Sequence, residues 1–109
     1  MPSSEPQDSI SATILQLNPK DNVGVATGNL EPDQVAAWGQ DVIRARERIP
    51  MGHKIALKPV DVGEKIVKWG MPIGSATRQI SPGEAVHLHN MKSDYLPTFT
   101  LDGSNPYLS

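Results

Sequence analysis

Three short segments decide how this chain is read: Gly52-His53-Lys54-Ile55, Gly63-Glu64-Lys65-Ile66 and Gly83-Glu84-Ala85-Val86. Each runs glycine, polar residue, any residue, β-branched residue, behind a turn-former (Pro50, Asp61 or Pro82). Glycine fills the positive-φ position of a tight turn, and the β-branched residue opens a strand. A fourth turn, Gly70-Met71-Pro72-Ile73-Gly74, interrupts the series. Strands are therefore expected near residues 54–58, 64–69, 73–79 and 85–90.

Working back from these segments, the pattern stays β. Thr13-Ile14-Leu15-Gln16-Leu17 reads as a first strand, stopped by Asn18-Pro19. Asp21-Asn22 turns the chain into a second, Val23-Gly24-Val25-Ala26, which Gly28-Asn29 ends. Residues 31–49 fit two patterns. Val35, Trp38, Val42 and Ile43 share a helical face, whereas Ile43, Ala45 and Ile49 alternate as in a strand broken by Glu47. Gly39 costs a helix interior about 1 kcal/mol, which favours a turn at Gly39-Gln40 followed by a strand.

The composition agrees. The 109-residue chain has 10 prolines and 9 glycines, which suits short strands and tight turns, and is long enough for one small domain. With no cysteine it has no disulfide, zinc-thiolate or thiol-nucleophile chemistry. A net charge of −2 argues against a phosphate-neutralising surface, so nucleic acid is not an expected partner. No apolar run reaches membrane-spanning length, and a cytoplasmic protein is expected. Residues 1–11 read as a disordered leader, 12–92 as the domain, and 93–109 as a C-terminal arm or linker whose scattered apolar residues pack on something.

All three histidines fall in the second half. In a strand, His87 and His89 share one face and Val86 and Leu88 the other, with Asn90 just beyond. Two imidazoles at i and i+2 can meet one metal ion or one substrate carboxylate. A half-buried strand with a histidine-bearing polar face gives the same pattern, and no third ligand is fixed by spacing. His53 sits at a turn tip with Lys54 beside it, suited either to an anionic substrate or to capping and solvation. Arg44, Arg46 and Arg48 alternate and are expected on one strand face, facing either a polyanionic acid or solvent. Trp38, Trp69 and Met71 serve equally as core or interface.

Three segments carry a resemblance. Ile49-Pro50-Met51-Gly52-His53-Lys54-Ile55-Ala56-Leu57, then Asp61 to Gly74 with Lys68-Trp69-Gly70-Met71-Pro72-Ile73-Gly74, then Ile80 to Asn90 with His87-Leu88-His89-Asn90, resemble the SAF domain of altronate and galactarate dehydratases. Asp21-Asn22-Val23 resembles the family's first turn. The resemblance implies a mostly β, SAF-type β-clip fold of short strands and tight turns, with residues 42–49 as strand. It implies a lyase context: water leaves a hexonic or hexaric acid to give a 2-keto-3-deoxy product, with iron, manganese or another divalent metal in the complete enzyme. It also places His53, Lys54, His87, His89 and Asn90 on the face that meets substrate, without assigning a ligand or a base among them; if this chain holds a metal, the i, i+2 spacing gives that role to His87 and His89.

Enzymes of that family carry a much larger catalytic domain after the SAF domain, so a large catalytic subunit or domain is the expected partner. A homo-oligomer is a further expectation. Two other readings remain open: a small subunit of a sulfolactate sulfo-lyase, and a non-catalytic ligand-binding or assembly module.

Overall fold

Four turns of one design set the architecture. Their carbonyl-to-amide bonds run from Glu31 to Gln34, Pro50 to His53, Asp61 to Glu64 and Ser81 to Glu84, each between 2.9 and 3.1 Å. The third residue of each lies at positive φ: Asp33 at 73°, Gly52 and Gly63 at 86°, Gly83 at 92°. That combination is the type II turn, with Pro32 and Pro82 at its preferred second position. The sequence pattern gave three of these turns. The fourth hides behind Asp33, since aspartate tolerates the left-handed region and needs no glycine signal.

The computed structural model describes residues 9–94, an all-β body with no helix among them. Its strands are β1 (Ile10–Leu15), β2 (Val23–Ala26), β3 (Val35–Trp38), β4 (Asp41–Arg44), β5 (Lys54–Ala56), β6 (Lys65–Lys68), β7 (Met71–Ala76), β8 (Ala85–Val86) and β9 (Met91–Lys92). A six-stranded sheet runs β4-β3-β1-β2-β5-β8, and a three-stranded sheet runs β6-β7-β9. All pairings are antiparallel except β1 with β3. No helix among the described residues is long and apolar enough to cross a membrane.

The turns come in two bridged pairs. Leu30 and Ile49 exchange backbone bonds of 2.9 and 2.8 Å, as do Val60 and Ile80 at 2.9 Å each. Each pair encloses a hairpin: β3–β4 closed by Gly39-Gln40, and β6–β7 closed by Trp69-Gly70. The second pair thus repeats the first about 30 residues later. Each half has its own core. Leu30, Ile43, Ile49 and Ile55 pack in one, and Val60, Ile66, Ile80 and Val86 in the other. Full burial of each such side chain is worth about 1.5–3 kcal/mol. β5 serves both, with Ile55 facing the first core and Ala56 the second.

Side chains from the 18–22 turn lock the halves together. Asp21, fully buried, accepts from the amides of Gly70 (2.7 Å) and Asn18 (3.2 Å). Asn22 accepts from the Val67 amide at 2.8 Å and donates to the Lys65 carbonyl at 2.9 Å.

Several expectations change in detail. The turn at Gly39-Gln40 is present and residues 35–44 form a hairpin, with Trp38 opposite Asp41. The strand expected over 42–49 ends at Arg44, because Glu47 leaves the alternation to accept from the Ala85 amide at 3.0 Å. Arg44, Arg46 and Arg48 therefore do not share one strand. Arg44 donates to the Asp33 carbonyl at 2.7 Å, and Arg48 pairs with Glu31 at 3.3 Å. β1 begins at Ile10, two residues inside the stretch read as a leader. Residues 1–8, and 95–109 of the expected arm, lie outside the described residues.

Candidate functional site

The site starts from an irregularity in the four turns. In three of them the fourth residue is Gln or Glu, and its side-chain oxygen accepts the amide of the first. Gln34 accepts from Glu31 at 2.8 Å, Glu64 from Asp61 at 2.7 Å, and Glu84 from Ser81 at 3.2 Å. The remaining turn opens with Pro50, which has no amide hydrogen to satisfy. Its fourth residue is His53, exposed and free of that closing role.

Strand register then brings His87 to it. β5 and β8 are antiparallel, with Lys54 opposite Val86. The next opposed pair along this register is His53 with His87. Their ring centroids lie 6.1 Å apart, tilted by 45°. Together with Gly52, Lys54 and Val86 they line a shallow recess of about 150 Å³. Lys54, half-buried as the first residue of β5, completes a basic lining that contains no carboxylate. Burial holds its ammonium below the usual lysine range, and the nearby Lys68 ammonium pushes it the same way. Lys68 itself lies 4.4 Å from the Trp69 ring centroid.

The chain beyond β8 departs from the expected strand. Extended structure stops at Val86, and residues 87–90 coil into a turn in which the His87 carbonyl accepts from Asn90 at 3.0 Å and Met91 at 2.9 Å. Asn90 causes this. Its carboxamide accepts from the His87 amide at 3.0 Å and donates to the Ala85 carbonyl at 2.8 Å, leaving the residue 2% exposed. An asparagine that offers local partners to the backbone competes with the sheet ladder.

Of the five residues expected on the substrate face, the fold thus gathers His53, Lys54 and His87. His89 lies elsewhere, in a recess of about 260 Å³ with Glu47, Arg78 and Glu84, where its carbonyl accepts from Arg78 at 3.2–3.3 Å. Asn90 turns its side chain inward to the backbone. Among the described residues, no three His, Asp or Glu side chains stand close enough to share a metal ion. Lys68, whose charge lowers the Lys54 pKa, was not among the expected site residues, because no local spacing links positions 54 and 68.

The structure defines a small all-β domain built on paired type II turns, with two histidines and a lysine among the residues lining one recess. The particular family follows from comparison. Residues 12–94 match the family described as the altronate/galactarate dehydratase SAF domain, and the chain belongs to it.

Relatives carry lyase names. An altronate dehydratase of Bacillus subtilis (strain 168) is 35% identical over 104 residues, covering 87% of this chain and 20% of the relative. An altronate dehydratase of Escherichia coli (strain K12) is 31% identical over 80 residues, covering 73% and 16%. The (2R)-sulfolactate sulfo-lyase subunit alpha of Chromohalobacter salexigens is 32% identical over 75 residues, covering 64% of this chain and 76% of the relative. The chain therefore spans about a fifth of the altronate dehydratases it matches, and most of a separately named subunit.

Proposed function

We propose that this chain is the SAF component of a sugar-acid hydro-lyase of the altronate/galactarate type, and that it completes the active site of a larger catalytic chain. The observation that carries the reading is the recess of His53, Lys54 and His87. It is basic, open on one side and too small to enclose a six-carbon acid. Two exposed apolar side chains flank its residues in sequence: Met51, 64% exposed, precedes Gly52 and His53, and Leu88, 73% exposed, follows His87. Apolar side chains beside a polar recess gain from being covered. The likeness to a subunit alpha supports a partner subunit, and the altronate dehydratase of which this chain covers 20% supports a larger size for it.

The chemistry proposed for the complex is a β-elimination. A base takes the proton next to the carboxylate, its electron pair forms the carbon–carbon double bond, and the β-hydroxyl leaves as water once protonated. The enol product then tautomerises to the 2-keto-3-deoxy acid. Charge that builds on the carboxylate in this step is what a basic recess stabilises. The divalent metal, iron or manganese, belongs with the larger chain in this reading. The gathered set on this chain offers two imidazoles, and among the described residues no third His, Asp or Glu stands close enough to share an ion with them. A cytoplasmic location is part of the same proposal.

A second reading rests on the likeness to the sulfo-lyase subunit alpha, 32% identical over 75 residues: a component of an enzyme that works on a sulfonated acid, with sulfite leaving in place of water.

The test is to purify the chain alone and with a larger dehydratase-type chain encoded beside it, then measure assembly and turnover on aldonic, aldaric and sulfonated acids. Turnover by the assembly and none by the lone chain is expected. Robust turnover by the lone chain, or failure to assemble, contradicts the proposal.

A further inference from the structure

Trp69 stands where the backbone favours glycine. It closes the β6–β7 hairpin with Gly70, between the paired residues Lys68 and Met71, and the two lie at φ 56° and 79°. Two positive-φ residues in a two-residue hairpin loop make a type I′ turn, for which Asn-Gly is a preferred pair. A bulky side chain in this left-handed region is strained, and such strain gathers at functional positions. The doubling of the fold supplies a comparison. The first loop residue of the β3–β4 hairpin is Gly39, at φ 60°. Glycine makes that tip without strain, so the turn does not itself call for tryptophan.

The core does not call for it either. Trp38 is half-buried, and its indole N–H donates to the Gln16 carboxamide at 2.8 Å. Trp69 is 44% exposed, with the Lys68 ammonium 4.4 Å from its ring centroid. Met71, at the other side of the same tip, is 61% exposed. The tip is nonetheless held in place. Buried Asp21 accepts from the Gly70 amide at 2.7 Å, and the Asn18 side chain leaves no room for a β-carbon at Gly70.

We infer that the β6–β7 tip is a docking contact, in which Trp69 and Met71 enter an apolar pocket with an acidic rim on the larger catalytic chain. The inference rests on the proposed function for that chain's existence, and it adds where this chain grips it. Residue type points to a protein: aromatic and methionine side chains are enriched at protein interfaces, and tryptophan above all at their energetic centres. A tip already held in place loses little freedom on binding. Size points to the larger chain, because this domain covers only 20% and 16% of the two altronate dehydratases it matches. Charge sets the rim. The Lys68 ammonium at the ring suits an acidic side chain opposite, whereas a second copy meeting the first tip to tip would set Lys68 against Lys68.

The test titrates the full 109-residue chain into the larger dehydratase-type chain encoded beside it, as parent and as Trp69→Asn, by calorimetry. Asparagine suits the type I′ turn, so the lone Trp69→Asn chain should unfold at an unchanged or higher urea concentration. Its affinity for the larger chain should fall about tenfold or more. For a second readout this chain alone carries 5-fluorotryptophan, whose fluorine signal differs between H2O and D2O when the ring is solvated. The Trp69 signal, identified as the one missing from Trp69→Asn, should lose that difference on assembly. Parental affinity of Trp69→Asn, easier unfolding of the lone variant, or a Trp69 ring as solvated in the assembly as alone overturns the docking contact.

Turnover separates the two claims. A Trp69→Asn chain that assembles and turns over like the parent defeats the contact and leaves the proposed function standing. An assembly that depends on Trp69 but turns over no aldonic, aldaric or sulfonated acid defeats the proposed function and leaves the contact. A parent chain that never assembles defeats both.

Discussion

Replacing Asn90 with alanine tests whether the site is built as described, because the residue was expected to face substrate and instead pins the backbone. Asparagine at this position is 2% exposed and spans the turn with two bonds, from the His87 amide at 3.0 Å and to the Ala85 carbonyl at 2.8 Å. Alanine leaves the His87 amide without an acceptor, at a cost of about 1–3 kcal/mol if water cannot replace it. It also removes the bond to Ala85, worth about 1 kcal/mol. The contact is part-buried, so the lower part of the range applies: about 2–3 kcal/mol in all. For a domain of this size that lowers the midpoint of thermal unfolding by roughly 8 °C or more.

The assay is urea and thermal unfolding followed by circular dichroism, with His89→Ala as the comparison. His89 is exposed and should change stability by less than about 0.5 kcal/mol. Asn90→Asp retains an acceptor for the His87 amide but turns a buried anion toward the Ala85 carbonyl. Its deficit should therefore shrink as pH falls and the carboxyl protonates. An Asn90→Ala change within about 0.5 kcal/mol of the parent would refute the reasoning, since the side chain would then not be holding the turn.

Other outcomes follow from the turns and from Asp94. Gly83→Ala should cost more than Gly52→Ala by urea unfolding. Both glycines lie at positive φ, which costs alanine about 1–2 kcal/mol, but a methyl group at Gly83 would strike the Arg44 carbonyl oxygen, whereas at Gly52 it meets nothing within 4 Å. Equal costs would place the strain in φ alone. The Asp94 carboxyl is held below the usual carboxylate range, first by the Lys65 ammonium at 2.7 Å and then by the Ser75 hydroxyl. Its folded pKa is thus depressed, so its contribution is full above the ordinary carboxylate range and lost as pH falls through the folded value. Asp94→Asn should flatten the stability-versus-pH curve in that acid window, and an unchanged curve would show the contact to be idle.

Most of the fold could be read from local chemistry. The glycine turns at Gly52, Gly63 and Gly83, the Val23–Ala26 strand and the Gly39-Gln40 hairpin announce themselves because glycine and β-branched spacing act within a few residues. What escaped was long-range or disguised. Asp33 takes the place of a glycine, so the first of four matching turns, and with it the doubling of the fold, went unseen. Val86-His87-Leu88-His89 alternates as a strand should, yet Asn90 offers the backbone a nearer partner and the chain turns.

The site was legible in its residue types and not in its grouping. His53 and His87 meet only because β5 pairs with β8 in one register, a contact across 34 positions that no local pattern encodes. The contrast between His53 and the Gln34, Glu64 and Glu84 positions was available in the sequence. It becomes a signal only once the four turns are recognised as equivalents.

Everything functional here depends on the recess of His53, Lys54 and His87 being where this chain meets its substrate inside a larger assembly. The most direct check is the turnover of that assembly with His53→Ala, His87→Ala and His89→Ala introduced one at a time. The account predicts a large loss of turnover for the first two, with assembly intact, and near-parental rates for His89→Ala. Parental rates for both His53→Ala and His87→Ala would contradict it.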